Sequence, residues 1–543
     1  MPKAGNMLRR QFAKTSAAAT ALALIGELPS TIAAAATPTD TLVMAKAMGE
    51  ILSMDPHEAA EYTSVEVDAS VYDRLVRFNA GAYDKLAGGV ADSWDVSADG
   101  KTFTFHIRKG LVFHSGNPVT TDDVAFSLQR TIFLNKGQAF ITAQFGWTAD
   151  NVKDLVKAID PLTVEAKIVK DLAPTLVLHA LATGNSAVVD KKLVMAHEKN
   201  GDLGNGWLRV GNDAGSGSYI LKSWKPSESI ELEASPTWRL GPPALKRILI
   251  RHIPEAATQE LLLKTGDVDI ARNLEPDQIR SLTTNKDITI DSFPSGDQYY
   301  LAVSVREDPF SKPKVWEALR YLIDYQGIVD TILKAQMTVH QSLWPAGFWA
   351  AVTDNPFKLD VPKAKQLLAE AGYPDGFAAQ FDIPNIAPYT QIAQAIQQTM
   401  AQAGVKLSVA TLQQKEFVTI YRGRKKFQMV MYLWNPDYMD PSSNIDPFAV
   451  NLDNSDTSAN HSPGWRVSWQ NPELVPLTEV ADRELNEDKR KAEYEDLQRR
   501  LMRSSPFIMM FQANTLVARR NNVKGFEVGP IYDIIYYDSI SKN

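Results

Sequence analysis

From Lys101 to Phe113 the chain reads KTFTFHIRKGLVF. Phe103, Phe105 and Ile107 fall on one side, and Thr104, His106 and Arg108 on the other. That period of two predicts a half-buried strand. Gly110 and Ser115–Pro118 punctuate it. TTDDVAFSLQRTIF then predicts a helix, with Thr120 or Thr121 as N-cap and acids in the first turn. Gly215–Ala234, GSGSYILKSWKPSESIELEA, reads as a hairpin of two alternating strands around KPSE, and Lys246–Ile253 alternates again. PEAATQELLLKTGDVDIA predicts a helix to Lys264, a stop at Gly266 and a short strand.

Beyond about Tyr299 the pattern lengthens into helices set between buried strands. KPKVWEALRYLIDYQGIVDTIL puts Val315, Ala318, Leu319, Leu322 and Ile323 on one helical face. DVPKAKQLLAEAGYPDG has Asp360 as cap, Pro362 in the first turn, and Gly372 and Pro374 past the end. The helix of YTQIAQAIQQTMAQAG ends at Gly404. VKLSVATL reads as a strand, and FQMVMYLW as one buried on both faces. DRELNEDKRKAEYEDLQRRLMRS predicts a charged surface helix that buries Leu497 and Leu501. The composite is α/β with mixed sheets. With 543 residues and no clear linker between its halves, it predicts two or three lobes that are discontinuous in sequence.

The N-terminus follows another logic. Lys3, Arg9, Arg10 and Lys14 precede a weakly apolar run from about Ser16 to Ile25, and Ala34–Ala36 offer a small-residue cleavage region. The run is about half of what a membrane span needs, so residues 1–36 read as an export signal. LRRQFAK resembles the twin-arginine signal; an ordinary secretory signal that happens to hold two arginines is the alternative. No later segment is apolar for long enough to span a bilayer. The expected location is the periplasm of a Gram-negative bacterium.

A net charge of −7 makes nucleic acid and anionic membranes poor default partners. The absence of cysteine removes disulfides, thiolate metal sites and thiol catalysis. No two of the eight histidines have metal-ligand spacing, so neither a metal nor a cofactor is expected. The acids of NLDNSD, Asn451–Asp456, do not have EF-hand spacing, and GSGSY enters a hairpin rather than a helix.

Val90–Arg130, VADSWDVSADGKTFTFHIRKGLVFHSGNPVTTDDVAFSLQR, resembles the signature region of the extracytoplasmic solute-binding proteins of the peptide and nickel type, the receptors of peptide-type ABC importers. The hairpin block, the Gly266 helix, PFSKPKVWEALRYLIDYQGIVDTIL and DVPKAKQLLAEAGYPDGF are similar to further blocks of that family in the expected order. The resemblance implies a non-enzymatic, monomeric clamshell of three domains. One lobe would comprise 37–65, 206–298 and 512–543, an extra domain 66–205, and the second lobe 299–511. A small solute, a peptide or amino-acid conjugate ahead of an opine-like or sugar conjugate, would sit between closing lobes and pass to an inner-membrane permease and its ATPase. A secreted hydrolase using Asp437 and another acid is the distant alternative.

The resemblance also gives meaning to WNPDYMDPSSN, Trp434–Asn444, the loop at the C-terminal end of the buried strand. Ligands favour such strand ends. In peptide-binding relatives the acid three residues after the equivalent tryptophan pairs with the ligand ammonium; here that is Asp437, with turn-shaping as its other possible role. Asp440, followed by Pro441, fits turn chemistry better. Trp434 and Tyr438 are candidate walls, as are Trp344 and Phe348 in SLWPAGFWAA, with core packing as the alternative; PGWRVSW, Pro463–Trp469, is similar in kind. Glu61, Tyr62 and Thr63 lie in a segment resembling one that faces the family's cleft. No arginine occurs in Phe381–Gln391, where dipeptide receptors of the family clamp a ligand carboxylate; Arg422 and Arg424 are the nearest candidates, a basic surface loop being their alternative role. The pattern favours a cationic head group and gives no support to a free carboxylate.

Overall fold

Two long antiparallel strands, Ile288–Val303 and Phe507–Arg520, organise the molecule, for which a computed structural model describes residues 37–79, 81–423 and 427–543. The expected export signal of residues 1–36, with Arg9 and Arg10, lies outside the described residues, as does Arg424. From Gln298 to Val303 every residue is buried, whereas Thr289–Pro294 are half-buried or exposed. The apolar run QYYLAV thus suits a strand covered on both faces, and the polar stretch before it does not.

These strands are the centre of an 11-stranded sheet. On one side, Met429–Trp434 pairs antiparallel with Ile288–Val303, followed by the parallel strands Ala378–Pro384 and Lys406–Leu412. On the other side come Ile270–Ala271, Thr41–Lys46, Arg247–His252 and the hairpin Ser229–Ala234 with Tyr219–Lys225. The pairing of the central strands slips between Pro294 and Gln298, and again at Tyr299–Tyr300. The lobe boundaries expected at 298/299 and 511/512 therefore fall inside two shared strands rather than in linkers. Residues 91–167 add a separate four-stranded sheet, ordered Ala91–Val96, Thr102–Ile107, Thr163–Lys167, Val156–Asp160, with the helix Thr121–Leu134 alongside.

Local chemistry accounts for the element ends. Thr120, not Thr121, caps its helix: its hydroxyl accepts from the Asp123 N–H, and Asp123 accepts from the Thr120 N–H at 2.8 Å. The helix Ala256–Thr265 stops at Gly266, whose φ of 87° suits glycine. Asp360 caps Val361–Glu370 through the Lys363 N–H at 3.0 Å.

Two expected helices are divided. Pro313–Arg320 and Tyr325–Thr331 are separate because Asp324 caps the second through the Gly327 N–H at 3.1 Å, while the buried Arg320 guanidinium is held by the carbonyls of Met502, Ser505 and Phe507. Likewise Asn486 starts Glu487–Ser504 afresh after Val475–Arg483 by accepting from the Lys489 N–H. In both places a side-chain acceptor offers the backbone a new helix start. Leu497 and Leu501 are buried. No helix among the described residues is long and apolar enough to cross a membrane.

Candidate functional site

The strand Met429–Trp434 starts buried and emerges at its end: Met429, Val430 and Met431 are sealed, while Tyr432, Leu433 and Trp434 are only partly covered. Its last residues and the loop to Asp437 open onto a cavity of about 430 Å³, within the roughly 300–1,000 Å³ usual for small-molecule sites. Three parts of the fold wall it. They are Trp434–Asp437 with the helix Gln414–Arg422, then Gln138 with Phe140, and Tyr62 with Ile531–Asp533.

Asp437 is the polar centre. Its backbone N–H donates to Ser443 Oγ at 2.7 Å, which fixes the loop. Among the described residues its carboxylate has no hydrogen bond or ion pair. Burial, aided by repulsion from Asp533, pushes its pKa from 3.8 up to about 7. Asp533 is already engaged: Arg74 lies 2.8 Å away, and the Gly184 N–H donates to the same carboxylate at 2.8 Å. Asn435 Nδ2 donates to Asp297 at 2.9 Å, so that amide is also committed.

Aromatic rings form the walls. Tyr62, 47% exposed, stacks on Tyr532 with centroids 3.9 Å apart. Trp434 meets Phe448 edge to face at 5.4 Å, and its indole N–H is buried with no acceptor among the described residues. Such an orphaned donor is rare in a finished core, and at a cavity wall a bound molecule can satisfy it. The Arg466 guanidinium lies over the Tyr421 ring at 4.8 Å, with Nε donating to the His461 carbonyl at 2.8 Å. Tyr421 in turn is fixed by Tyr300, hydroxyl to hydroxyl at 2.5 Å.

The residues singled out from the sequence are thus divided. Asp437, Trp434, Tyr62 and Arg422 line the cavity. Tyr438 does not: it packs in the apolar cluster of Phe78, Ile141 and Phe145, its hydroxyl donating to Gln144 at 3.2 Å and lying 3.1 Å from Ser442 Oγ. Thr63 is buried and donates to Glu50, while Glu61 precedes the first helix and accepts from Ser64 at 3.2 Å. Trp344 is fully buried, donating to the Trp349 carbonyl at 2.8 Å. Phe348 lines a different cavity of about 360 Å³, with Trp349, Tyr83 and His179. Asp440 is sealed in a bidentate pair with Arg490, both distances 2.8 Å.

Sequence reasoning missed Tyr421, Tyr432, Tyr532, Gln138, Phe140 and Arg466 as cavity residues. Only PGWRVSW carried any signal, as an aromatic cluster. Among the described residues no group of three or more His, Asp or Glu could hold a metal ion.

Comparisons with known proteins give the family and the fold. Residues 85–456 match the family described as bacterial extracellular solute-binding proteins, family 5. The chain is 27% identical over 530 residues to a probable D,D-dipeptide-binding periplasmic protein, DdpA, of Escherichia coli strain K12, covering 95% of this chain and 97% of that one. It is 26% identical over 520 residues to heme-binding protein A of Haemophilus influenzae, covering 90% of each. Its fold is similar to that of the periplasmic binding protein DppA of Helicobacter pylori in complex with the peptide STSA, at a TM-score of 0.75 and 22% identity, covering 92% of this chain and 98% of that one. The matched stretch exceeds half of the sequence, and the chain belongs to the bacterial extracellular solute-binding proteins of family 5.

Proposed function

We propose that the protein is the periplasmic receptor of a peptide-type ABC importer, and that it carries a small amine-bearing solute, a peptide or amino-acid conjugate, in the cavity beside Asp437. The observation that carries this reading is the unpartnered Asp437 carboxyl, held near neutrality by burial inside an aromatic cavity. A buried carboxylate left alone costs several kcal/mol. A ligand ammonium compensates it, and the rings of Trp434 and Tyr62 suit the cation and its apolar neighbours. The names of its relatives, which include D,D-dipeptide-binding and glutathione-binding proteins, fit a cargo of this class.

Export through the signal of residues 1–36, monomeric action, and delivery to an inner-membrane permease driven by its ATPase complete the proposal. The receptor performs no chemistry on its cargo. Asp533, the acid whose charge acts on Asp437, is occupied by Arg74 and the Gly184 N–H and is not available as a partner in hydrolysis. Native mass spectrometry of protein purified gently from its host, followed by denaturation and identification of whatever is released, tests the reading. A stoichiometric amine, recovered unchanged and no longer retained by Asp437→Ala, is the expected result. A released solute without a cationic group overturns the role given to Asp437.

A further inference from the structure

The molecule holds a second cavity whose chemistry differs from that beside Asp437. Its volume is about 360 Å³, and it is walled by Tyr83, His179, Phe348, Trp349 and Met439. The described residues lining the two cavities have no member in common. The first presents Asp437, Asp533, Arg422 and Arg466 to whatever enters it. Among the described residues, no acid, lysine or arginine lines the second. Its walls offer a charged solute nothing in return for lost hydration, while an uncharged ring gains burial against other rings. These walls are themselves held. Trp344 meets Phe348 edge to face with centroids 5.8 Å apart, the Arg490 guanidinium lies 5.4 Å from the centre of the Trp349 ring, and Phe78 meets His179 edge to face at 5.3 Å. Rings fixed in advance lose little freedom when a molecule binds against them.

His179 supplies the polar anchor. It is 8% exposed, and its Nδ1 lies 2.6 Å from the Met439 carbonyl. A carbonyl only accepts, so the proton is on Nδ1 and Nε2 carries a lone pair. Burial holds the pKa of this ring below the usual histidine value, which keeps it neutral. Nε2 has no hydrogen-bond partner among the described residues, and His179 borders the cavity. An acceptor left open beside aromatic walls is a place where a donor on a bound ring completes the bonding. We propose that this cavity is a second binding site, for an uncharged aromatic group that bears one ring N–H or O–H, an indole or a phenol, whose donor meets His179 Nε2 and whose ring packs against Tyr83, Phe348 and Trp349. The thioether of Met439 suits the edge of such a ring. This site lies beyond the receptor reading and makes no use of Asp437.

The test is calorimetric titration of the purified protein with two pairs of probes, indole against 1-methylindole and p-cresol against 4-methylanisole. Within each pair only the donor is lost. The expected result is that indole or p-cresol binds about tenfold more tightly than its methylated partner. His179→Asn, whose amide N–H replaces that of Nδ1 toward Met439, removes the Nε2 acceptor and brings the members of that pair to similar affinities. Should His179→Asn not fold, Phe348→Leu, which removes one wall ring, must weaken both members of the pair by similar factors. Fluorine NMR of protein labelled with 5-fluorotryptophan locates the probe, with resonances assigned through Trp349→Phe and Trp434→Phe. Indole is expected to shift the Trp349 resonance and to leave that of Trp434 in place. Binding of neither indole nor p-cresol, equal affinity within both pairs, a ratio retained in His179→Asn, unchanged affinity in Phe348→Leu, or a shift at Trp434 without one at Trp349 overturns the inference.

Discussion

Asp437 and Asp440 are three residues apart in one loop, and the fold treats them in opposite ways. Asp440 is sealed against the helix Glu487–Ser504. Arg490 grips it with two hydrogen bonds and also donates to Thr175 Oγ1 at 3.0 Å, while Ser442 Oγ donates to the carboxylate at 2.8 Å. Its pKa is lowered despite burial. Burial raises both Asp446 and Asp482 beside it; Asp482 raises Asp446 further, Asp440 repels Asp482, and Tyr494 donates to Asp482 at 2.6 Å. On that side Asp440 is paired with Arg490 and Asp482 accepts from Tyr494. On the cavity side burial pushes the Asp437 carboxyl up to about 7, and it has no partner among the described residues. A buried charge with a partner maintains the structure; a buried charge without one marks where a partner is expected to come from outside.

The largest effect that can break this comparison lies on the paired side. Arg490→Met leaves Asp440 buried and alone, and the expected loss of folding stability is about 3–5 kcal/mol, read by urea denaturation. A loss below about 1 kcal/mol would show that this packing tolerates an unpaired acid and would remove the contrast. On the other side, Asp437→Asn is expected to weaken binding of an amine-bearing solute by at least about 2 kcal/mol, roughly 30-fold, while the ligand-free protein folds as well as before. Unchanged affinity in calorimetry defeats the assignment.

The pH dependence sharpens the same point. Folding raises the Asp437 pKa, so the proton-bound form is the one that the empty fold favours. The ligand-free protein therefore loses stability as pH rises from 3.8 toward about 7, with no further loss from this group above that. Ligand affinity moves the opposite way. Below about 7 an ammonium must displace the proton, so affinity climbs by up to about tenfold per pH unit and then levels. Thermal unfolding and titration at matched pH check both slopes, and Asp437→Asn is expected to flatten both. The smallest effect belongs to Tyr438, which is adjacent to Asp437 in sequence and on the structural side in space. Tyr438→Phe is expected to lower stability by about 0.5–1.5 kcal/mol through its lost hydroxyl contacts and to leave affinity unchanged. A change in affinity would move Tyr438 to the cavity side of the comparison.

Much of the fold was legible because its signals are local. Alternation marks Thr102–Ile107, where Phe103, Phe105 and Ile107 are buried, and a side-chain acceptor ahead of an apolar period marks the helix Val361–Glu370. The divided helices at Asp324 and Asn486 were less legible, since apolar periodicity runs on across a break that a cap and a buried arginine impose. In the site, Asp437 and Trp434 could be approached from the sequence because they share one loop with a recognisable context. Tyr532, Gln138 and Arg466 could not: each is about 70 to 330 residues from at least one of the others and belongs to no shared local pattern.

What the sequence determined by itself was the class of element at each position, the family, and a short loop rich in acids and aromatics. Periodicity, caps and the order of similar blocks are written along the chain. Which of the two acids is paired was decided only by tertiary structure, because the partner of Asp440 is 50 residues away on another helix, while among the described residues none of the elements around Asp437 offers it a partner. Likewise the composition of WNPDYMDPSSN cannot say that Tyr438 turns inward while Asp437 faces the cavity. That follows from the Ser443 hydroxyl bonded to the Asp437 N–H and from the apolar cluster of Phe78, Ile141 and Phe145, which draws the tyrosine ring out of water.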